Sequence, residues 1–240
     1  MKQHILISSI VRNRGDKLPN YFDQILNFVK NLSDEYDFSI SIYENDSVDN
    51  SKEILKSQDY SLFVESFVKS ENIGTAYYDS VPDAQRVINF ANARNKTIED
   101  LDLKKYSNIL IIEPDIIYSF DSIKEIITKS SAPENTDIYS GVVMMNNVPY
   151  DIWAMRRDST EEWGGFFSDF AWNPIKEFWS TANGACLYNI QPFLNGLKFS
   201  SFNKRLEKHD CDTVVLCEDF REMGYSNIFI NQSVRLYHER

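Results

Sequence analysis

Glycine is scarce in this chain, with eight in 240 residues. Only Gly15 falls between Ser8 and Leu18, so the loop after the first expected strand is not a glycine-rich phosphate cradle. Cysteine is scarcer still. Cys186, Cys211 and Cys217 are odd in number and lack zinc-type spacing, which suits small buried thiols in a reducing compartment. No apolar run reaches transmembrane length, and no charged, apolar, small-residue leader follows Met1. Secretion and self-anchoring are therefore not expected, and a cytoplasmic location is. Positive charge is also short: 25 Lys and Arg face 36 Asp and Glu, for a net charge of -11 and a pI near 4.8. Nucleic-acid binding needs a basic footprint that is missing here. An acidic chain that binds a nucleotide must use a metal or a few well-placed arginines.

What is present is a core and a repeating order of elements. Hydrophobic residues make up 42% of the chain, enough for one large domain. Hydrophobic patterning predicts a strand at 4–11, a helix through Leu18, Phe22, Ile25, Val29 and Leu32, and a strand at 38–43. A cap-rich turn at 44–51 should open a second helix, and 61–68 should be a third strand. Strand and helix alternating in this way indicate a parallel sheet with crossover helices. Residues 69–85 read as a long loop that orders over a ligand, and 84–101 as a helix with Arg94 on its apolar stripe. A strand at 109–112, a short helix at 122–129 and a strand at 138–145 follow. Beyond Asn146, Trp, Gly, Pro and Asn punctuate short apolar pieces until a helix at 212–223 and two strands at 227–231 and 234–238. Aromatic residues are 14% of the chain, and many in the second half stand between polar residues, which suits sugar rings as well as packing.

The stretch ILIIEPDIIYS at 109–119 organises this pattern. Four aliphatic residues run into Glu113-Pro114-Asp115, and Pro114 cannot donate to a ladder, so both acids should lie at the carboxyl end of a buried strand. Open α/β sheets hold ligands there. The pair suits Mg2+ or Mn2+ gripping a diphosphate, although alone the three residues favour an ordinary acidic turn.

Seven stretches together resemble a known family: IVRN at 10–13, IYENDSVDNS at 42–51, ARNK at 93–96, ILIIEPDIIYS, YDIWAMRRD at 150–158, WSTANGACLY at 179–188 and CEDFREMGYSNIFINQSVRLYH at 217–238. They resemble, in family order, a GT-A glycosyltransferase, and within that class the fungal capsule-associated α-1,3-mannosyltransferase family and its bacterial or viral relatives. The resemblance implies an α/β fold, a Rossmann-like mixed sheet flanked by helices, with a C-terminal acceptor-binding region. It implies one domain, with a nucleotide-sugar-binding half to about residue 145 and an acceptor-binding and catalytic half from about 146. The family carries Asn-Asp-Val where this chain has Glu113-Pro114-Asp115-Ile116, and its fungal members carry an N-terminal anchor.

On this resemblance the chain is a metal-dependent hexosyltransferase. It would move a hexose, mannose if the family's donor carries over, from a GDP- or UDP-linked sugar to a carbohydrate or glycolipid acceptor with retention. Glu113, Asp115 and His238 are the implied ligands of Mn2+ or Mg2+, with Asp115 foremost; His238 also suits a solvated histidine near the chain end. Arg12, Asn13, Glu44, Asn45, Asp46 and Arg94 are the implied nucleotide-binding residues. Glu218, Asp219 and Asp158 are the candidate catalytic acids, a charged helix face being the other reading of the first two. Asp151, Trp153, Arg157, Trp179, Asn183 and Gly184 are candidates for sugar and acceptor binding, Gly184 by letting backbone approach ligand closely. No nucleic-acid partner and no transmembrane segment are expected, and peripheral recruitment to a membrane stays open. Two other readings remain: a carbohydrate- or nucleotide-binding relative without activity, and a sugar nucleotidyltransferase, which the bare loop at Gly15 disfavours.

Overall fold

The computed structural model describes residues 2–78, 83–162, 175–181 and 184–239. The first half alternates β1 (Gln3–Val11), α1 (Leu18–Leu32), β2 (Tyr36–Asn45), α2 (Ser51–Ser57), β3 (Ser66–Glu71) and α3 (Ala84–Lys96). In α1 the residues Leu18, Tyr21, Phe22, Ile25, Phe28, Val29 and Leu32 are all buried, and Pro19 sits in the first turn, where its missing N–H breaks no helical bond. Asp83 caps α3 by accepting from the backbone N–H groups of Gln85 and Arg86. That helix stops at Lys96, short of the expected 101. The Thr97 hydroxyl bonds the Arg94 carbonyl and the Ser8 hydroxyl, each at 2.7 Å, and the chain turns away. The third strand also lies later than 61–68, because Asp59 holds Ser61 in a turn through the Ser61 N–H and hydroxyl and pairing with β2 starts only at Ser66.

Next come β4 (Asn108–Ile112), β5 (Ile116–Tyr118), α4 (Phe120–Thr128), β6 (Ile138–Met145) and β7 (Val148–Pro149). The last part holds β8 (Ile175–Glu177), β9 (Ala185–Asn189), α5 (Gln191–Leu194), β10 (Phe202–Asn203), β11 (Lys208–His209), α6 (Asp212–Glu222) and β12 (Ile228–His238). The two strands expected near the chain end are one, with a register irregularity between Ile230 and Arg235. There the Asn231 side chain accepts from the Ser233 N–H and bends the strand without ending it.

The main sheet has the order β3-β2-β1-β4-β9-β6-β12-β5, with β7 on β6 and β8 on β12. β3, β2, β1 and β4 are parallel, and β9 runs antiparallel to both β4 and β6. Successive residues of β1 and β4 serve opposite cores. Ile5, Ile7, Leu110 and Ile112 pack with α1 and α4, while Leu6, Ile109 and Ile111 pack with Ala91 of α3 and Leu216, Cys217 and Phe220 of α6. A strand buried on both faces needs apolar residues throughout, which is why ILII is continuous. The parallel strands therefore end together, on one side of the sheet, with helices covering both faces.

A second constraint holds the segment after β7. Arg156 is fully buried and makes two hydrogen bonds, of 2.8 and 2.7 Å, to Asp210, itself 3% exposed. Asn203 donates to the same carboxylate. This pair fixes the residues around Trp153 to the start of α6. Removing one partner strands a buried charge, so Asp210→Ala is expected to cost about 3–5 kcal/mol in urea unfolding. A loss under about 1 kcal/mol would mean that the pair contributes little to the fold.

Candidate active site

Beyond the carboxyl ends of β1, β2 and β4 opens a cleft of about 630 Å3. Its wall on the β1 side carries Arg12 and Arg14, and α3 brings Arg86 and Arg94 to it. Arg86, Phe90 and Arg94 lie four residues apart and line the cleft together, as one helical face must, with the Arg86 guanidinium 4.4 Å from the centre of the Phe90 ring.

β4 stops before Glu113-Pro114-Asp115, as a proline without an N–H requires. The Glu113 carbonyl accepts from Ile116 across this turn, and the Asp115 carbonyl accepts from the Glu239 N–H, which brings the end of β12 to the acids. His238 Nε2 thereby lies 3.5 Å from Asp115 Oδ2, and the Arg14 guanidinium is 3.2 Å from the same oxygen. Burial alone would raise the Asp115 carboxyl; His238 and the charge of Arg14 outweigh it and hold the group below its ordinary value. The His238 ring lies against Tyr150 with the ring centres 4.4 Å apart and the planes tilted by 43°, and its Nδ1 is buried without a hydrogen-bond partner.

Glu113 has a different partner. Its Oε1 accepts from Arg94 at 2.7 Å, and Arg94 Nε donates to Asp212 at 2.6 Å. The side chains of Arg94 and Asp212 are 6% and 5% exposed. Burial raises the Glu113 carboxyl despite the guanidinium. Glu113 is thus committed to a buried acid–arginine–acid bridge between β4, α3 and the first turn of α6. Among the described residues no group of three His, Cys, Asp or Glu side chains is arranged to hold a metal ion. The Asp115–His238 pair does fit one in part: Asp115 Oδ2 and His238 Nε2, an oxygen and a nitrogen donor side by side, suit Mn2+ whose other positions a diphosphate would complete.

Asp151 also lines the cleft, within reach of the charges of the bridge. It sits in the left-handed region at φ 58°, and its carbonyl accepts from the N–H groups of Ala154 and Met155. Burial, and after it the charge of Asp212, pushes its carboxyl up to about 6.

Nine of the sequence candidates line this cleft: Arg12, Asn45, Arg94, Glu113, Asp115, Asp151, Trp153, Gly184 and His238. Gly184 is needed for packing, since a Cβ would come within 2.3 Å of the Val143 side chain. Others are drawn into structure. Glu44 is fully buried and accepts from the Ser47 N–H and the Ser70 hydroxyl. Asp46 accepts from the N–H groups of Ile73, Gly74 and Thr75 and from the Thr75 hydroxyl, which against burial hold it well below the carboxylate range. Asn13 accepts from the Val48 N–H. These three shape the loops around the cleft, outside its lining.

Glu218 and Asp219, the candidate catalytic acids, are not among the residues that line this cleft. Glu218 accepts from Trp179 Nε1 and pairs with Arg205, and Asp219 pairs with Lys204, so the basic hairpin before α6 satisfies both acids away from the cleft. Trp179 is turned the same way, with the Arg221 guanidinium 4.6 Å from its ring. Asp158 accepts from the Thr160 N–H and hydroxyl in an exposed turn, and Arg157 pairs with Glu161; neither lines the cleft. Asn183 lies outside the described residues.

Sequence reasoning missed Arg14, Arg86, Tyr150 and Asp212. Arg86 was legible, being eight residues before Arg94 on the same helical face. Asp212 offered no signal beyond a helix start.

The mannosyltransferase PcManGT of Pyrobaculum calidifontis, solved with GDP-Man and Mn2+, is 12% identical with a TM-score of 0.58, over 99% of this chain and 57% of that one. TarS 1–349 of S. aureus is 12% identical with a TM-score of 0.55, over 100% of this chain and 60% of that one, and it is similar again in its complex with UDP. This chain thus spans less than two thirds of those structures, and the likeness is one of GT-A fold. No curated protein gives a sequence match. The family described as Cryptococcal mannosyltransferase 1 matches residues 4–219, from β1 through the acids of α6. By that match the chain belongs to the cryptococcal mannosyltransferase 1 family of glycosyltransferases.

Proposed function

We propose that this chain transfers a hexose from a nucleoside diphosphate sugar to a carbohydrate or glycolipid acceptor, with a divalent cation. The observation that carries the reading is the convergence of four arginines and the Asp115–His238 pair in one cleft of a chain with net charge -11. Four arginines against four acids, Glu113, Asp115, Asp151 and Asp212, bring the cleft to balance where the chain is strongly acidic, and a cation on Asp115 would tip it towards a diphosphate. The family, and the GDP-Man and Mn2+ of PcManGT, favour GDP-mannose as donor; the UDP of TarS keeps a uridine donor in play. Retention of the anomeric configuration is carried over from the family resemblance.

In transfer the bond from the anomeric carbon to the diphosphate breaks and negative charge builds on the leaving oxygen. Arg14 and Arg86 are the cleft arginines suited to meet that charge. Asp115 and His238 would hold the cation, which when bound adds Lewis-acid stabilisation of the leaving diphosphate. Arg94, taken by Glu113 and Asp212, keeps the acidic turn in place. At the end of β2 the Asn45 side-chain amide donates to Asp46 and Thr75 and steadies the loop over the cleft. With Glu218 and Asp219 paired elsewhere, Asp151 is the acid best placed to accept hydrogen bonds from sugar hydroxyls, beside Trp153.

Asp115→Ala is expected to abolish cation-dependent nucleotide binding in calorimetry while the Tm of the unliganded protein changes little. A large loss of Tm without ligand would make the turn structural and remove the basis for a cation there. Asp151 gives a second test. Its raised carboxyl pKa means that the folded state favours the protonated form, so its contribution to stability is full below about 4 and is lost as pH rises through about 6. The groups around it are Asp212, Glu113, Arg86 and Arg94. Asp151→Asn should therefore have a higher Tm than the parent at pH 8, and the advantage should shrink towards pH 5. An advantage independent of pH would show that the Asp151 charge is not the cause.

A further inference from the structure

Arg14 is absent from the motifs that drew attention to the cleft, yet it stands at the point where cation and diphosphate would meet. Its backbone is fixed: the Arg14 N–H donates to the Ser51 hydroxyl at 2.9 Å, and its carbonyl accepts from Lys17 and Leu18 as α1 begins. Its side chain is held more lightly. It is 34% exposed, donates to the adjoining Asn13 carbonyl, and otherwise reaches Asp115 and the Tyr77 hydroxyl. A few side-chain rotations would redirect the guanidinium without moving the backbone.

Asp115 Oδ2 is shared between Arg14 at 3.2 Å and His238 at 3.5 Å. The guanidinium is therefore the carboxylate's counter-ion. A divalent cation on Asp115 and His238 would sit beside the guanidinium's positive charge, and like charges at such short range repel strongly in a partly desolvated cleft. A diphosphate reverses the balance. It offers oxygens to the cation and a matching anion to the guanidinium, so Arg14 can leave Asp115 for the ligand.

Resting on the diphosphate-and-cation reading above, we propose that Arg14 is a positioning residue that makes cation binding at Asp115 conditional on a nucleoside diphosphate. It stands in for the cation in the unliganded cleft and turns to the diphosphate when both ligands arrive. The coupling is reciprocal, as linkage requires: the diphosphate tightens the cation, and the cation tightens the diphosphate to the same extent. One consequence is that the cleft selects the cation–nucleotide complex over either ligand alone.

The test is a Mn2+ titration of the full chain, followed by the paramagnetic signal of free Mn2+, alone and with saturating GDP or UDP. Parent, Arg14→Gln and Arg14→Lys are compared, with circular dichroism to verify that each is folded. The parent should bind Mn2+ weakly alone and about tenfold more tightly with the accepted nucleotide, a coupling within the usual range. Arg14→Gln should bind Mn2+ alone several-fold more tightly than the parent and lose most of the nucleotide-dependent gain. Arg14→Lys keeps the charge and should stay near the parent for Mn2+ alone. An Arg14→Gln protein that binds Mn2+ alone no better than the parent, or keeps the parent's full coupling, overturns the inference and leaves the proposed function standing. A parent that binds neither Mn2+ nor either nucleotide overturns both.

Discussion

The buried bridge Glu113–Arg94–Asp212 is the interaction on which the cleft depends. Arg94 and Asp212 are 118 residues apart in sequence, and the three groups come from the end of β4, the last turn of α3 and the first turn of α6. A guanidinium so deeply buried cannot stand without partners, because an unpaired buried charge costs several kcal/mol. Both acids are therefore held where the guanidinium is, and with them the acidic turn and the start of α6. Asp115 follows two residues after Glu113, so its direction into the cleft is set by a bridge in which it takes no part.

This division of labour explains why two acids so close in sequence differ. Glu113 is raised by burial, while Asp115 is held low by His238 and Arg14. One acid anchors; the other is turned to His238 and Arg14 in the cleft. The same contrast recurs between Asp212, locked to Arg94, and Asp151, which burial pushes up to about 6. Two of the four cleft arginines, Arg14 and Arg94, already meet the protein's own acids. Each arginine already neutralised by the protein is one fewer for the ligand.

The fold was legible where local pattern and burial coincide. α1 begins and ends where its apolar stripe does, and ILII stands in the strand buried on both faces. Boundaries slipped where a side chain intervened: Thr97 ended α3 early, Asp59 delayed β3, and Asn231 bent β12 without breaking it. The site was legible as a set of charged residues but not as a set of pairings. Glu218 and Asp219 have the sequence of cleft acids, yet Lys204 and Arg205 of the preceding hairpin lie beside them, and Asp46 holds the loop at 73–75. Which cation an acid meets is decided by tertiary distance, and spacing along the chain carries no record of it.

The central claim is that this cleft holds a nucleoside diphosphate together with a divalent cation. Its most direct test is a thermal-shift panel of GDP, UDP, CDP and ADP and their sugars, with and without Mn2+. A ligand at about a hundred times its Kd stabilises the folded state by roughly 2.7 kcal/mol, a readily measured rise in Tm. The account predicts a Mn2+-dependent rise confined to one base, with GDP favouring the mannosyl donor. No rise with any nucleotide, with or without Mn2+, would contradict it.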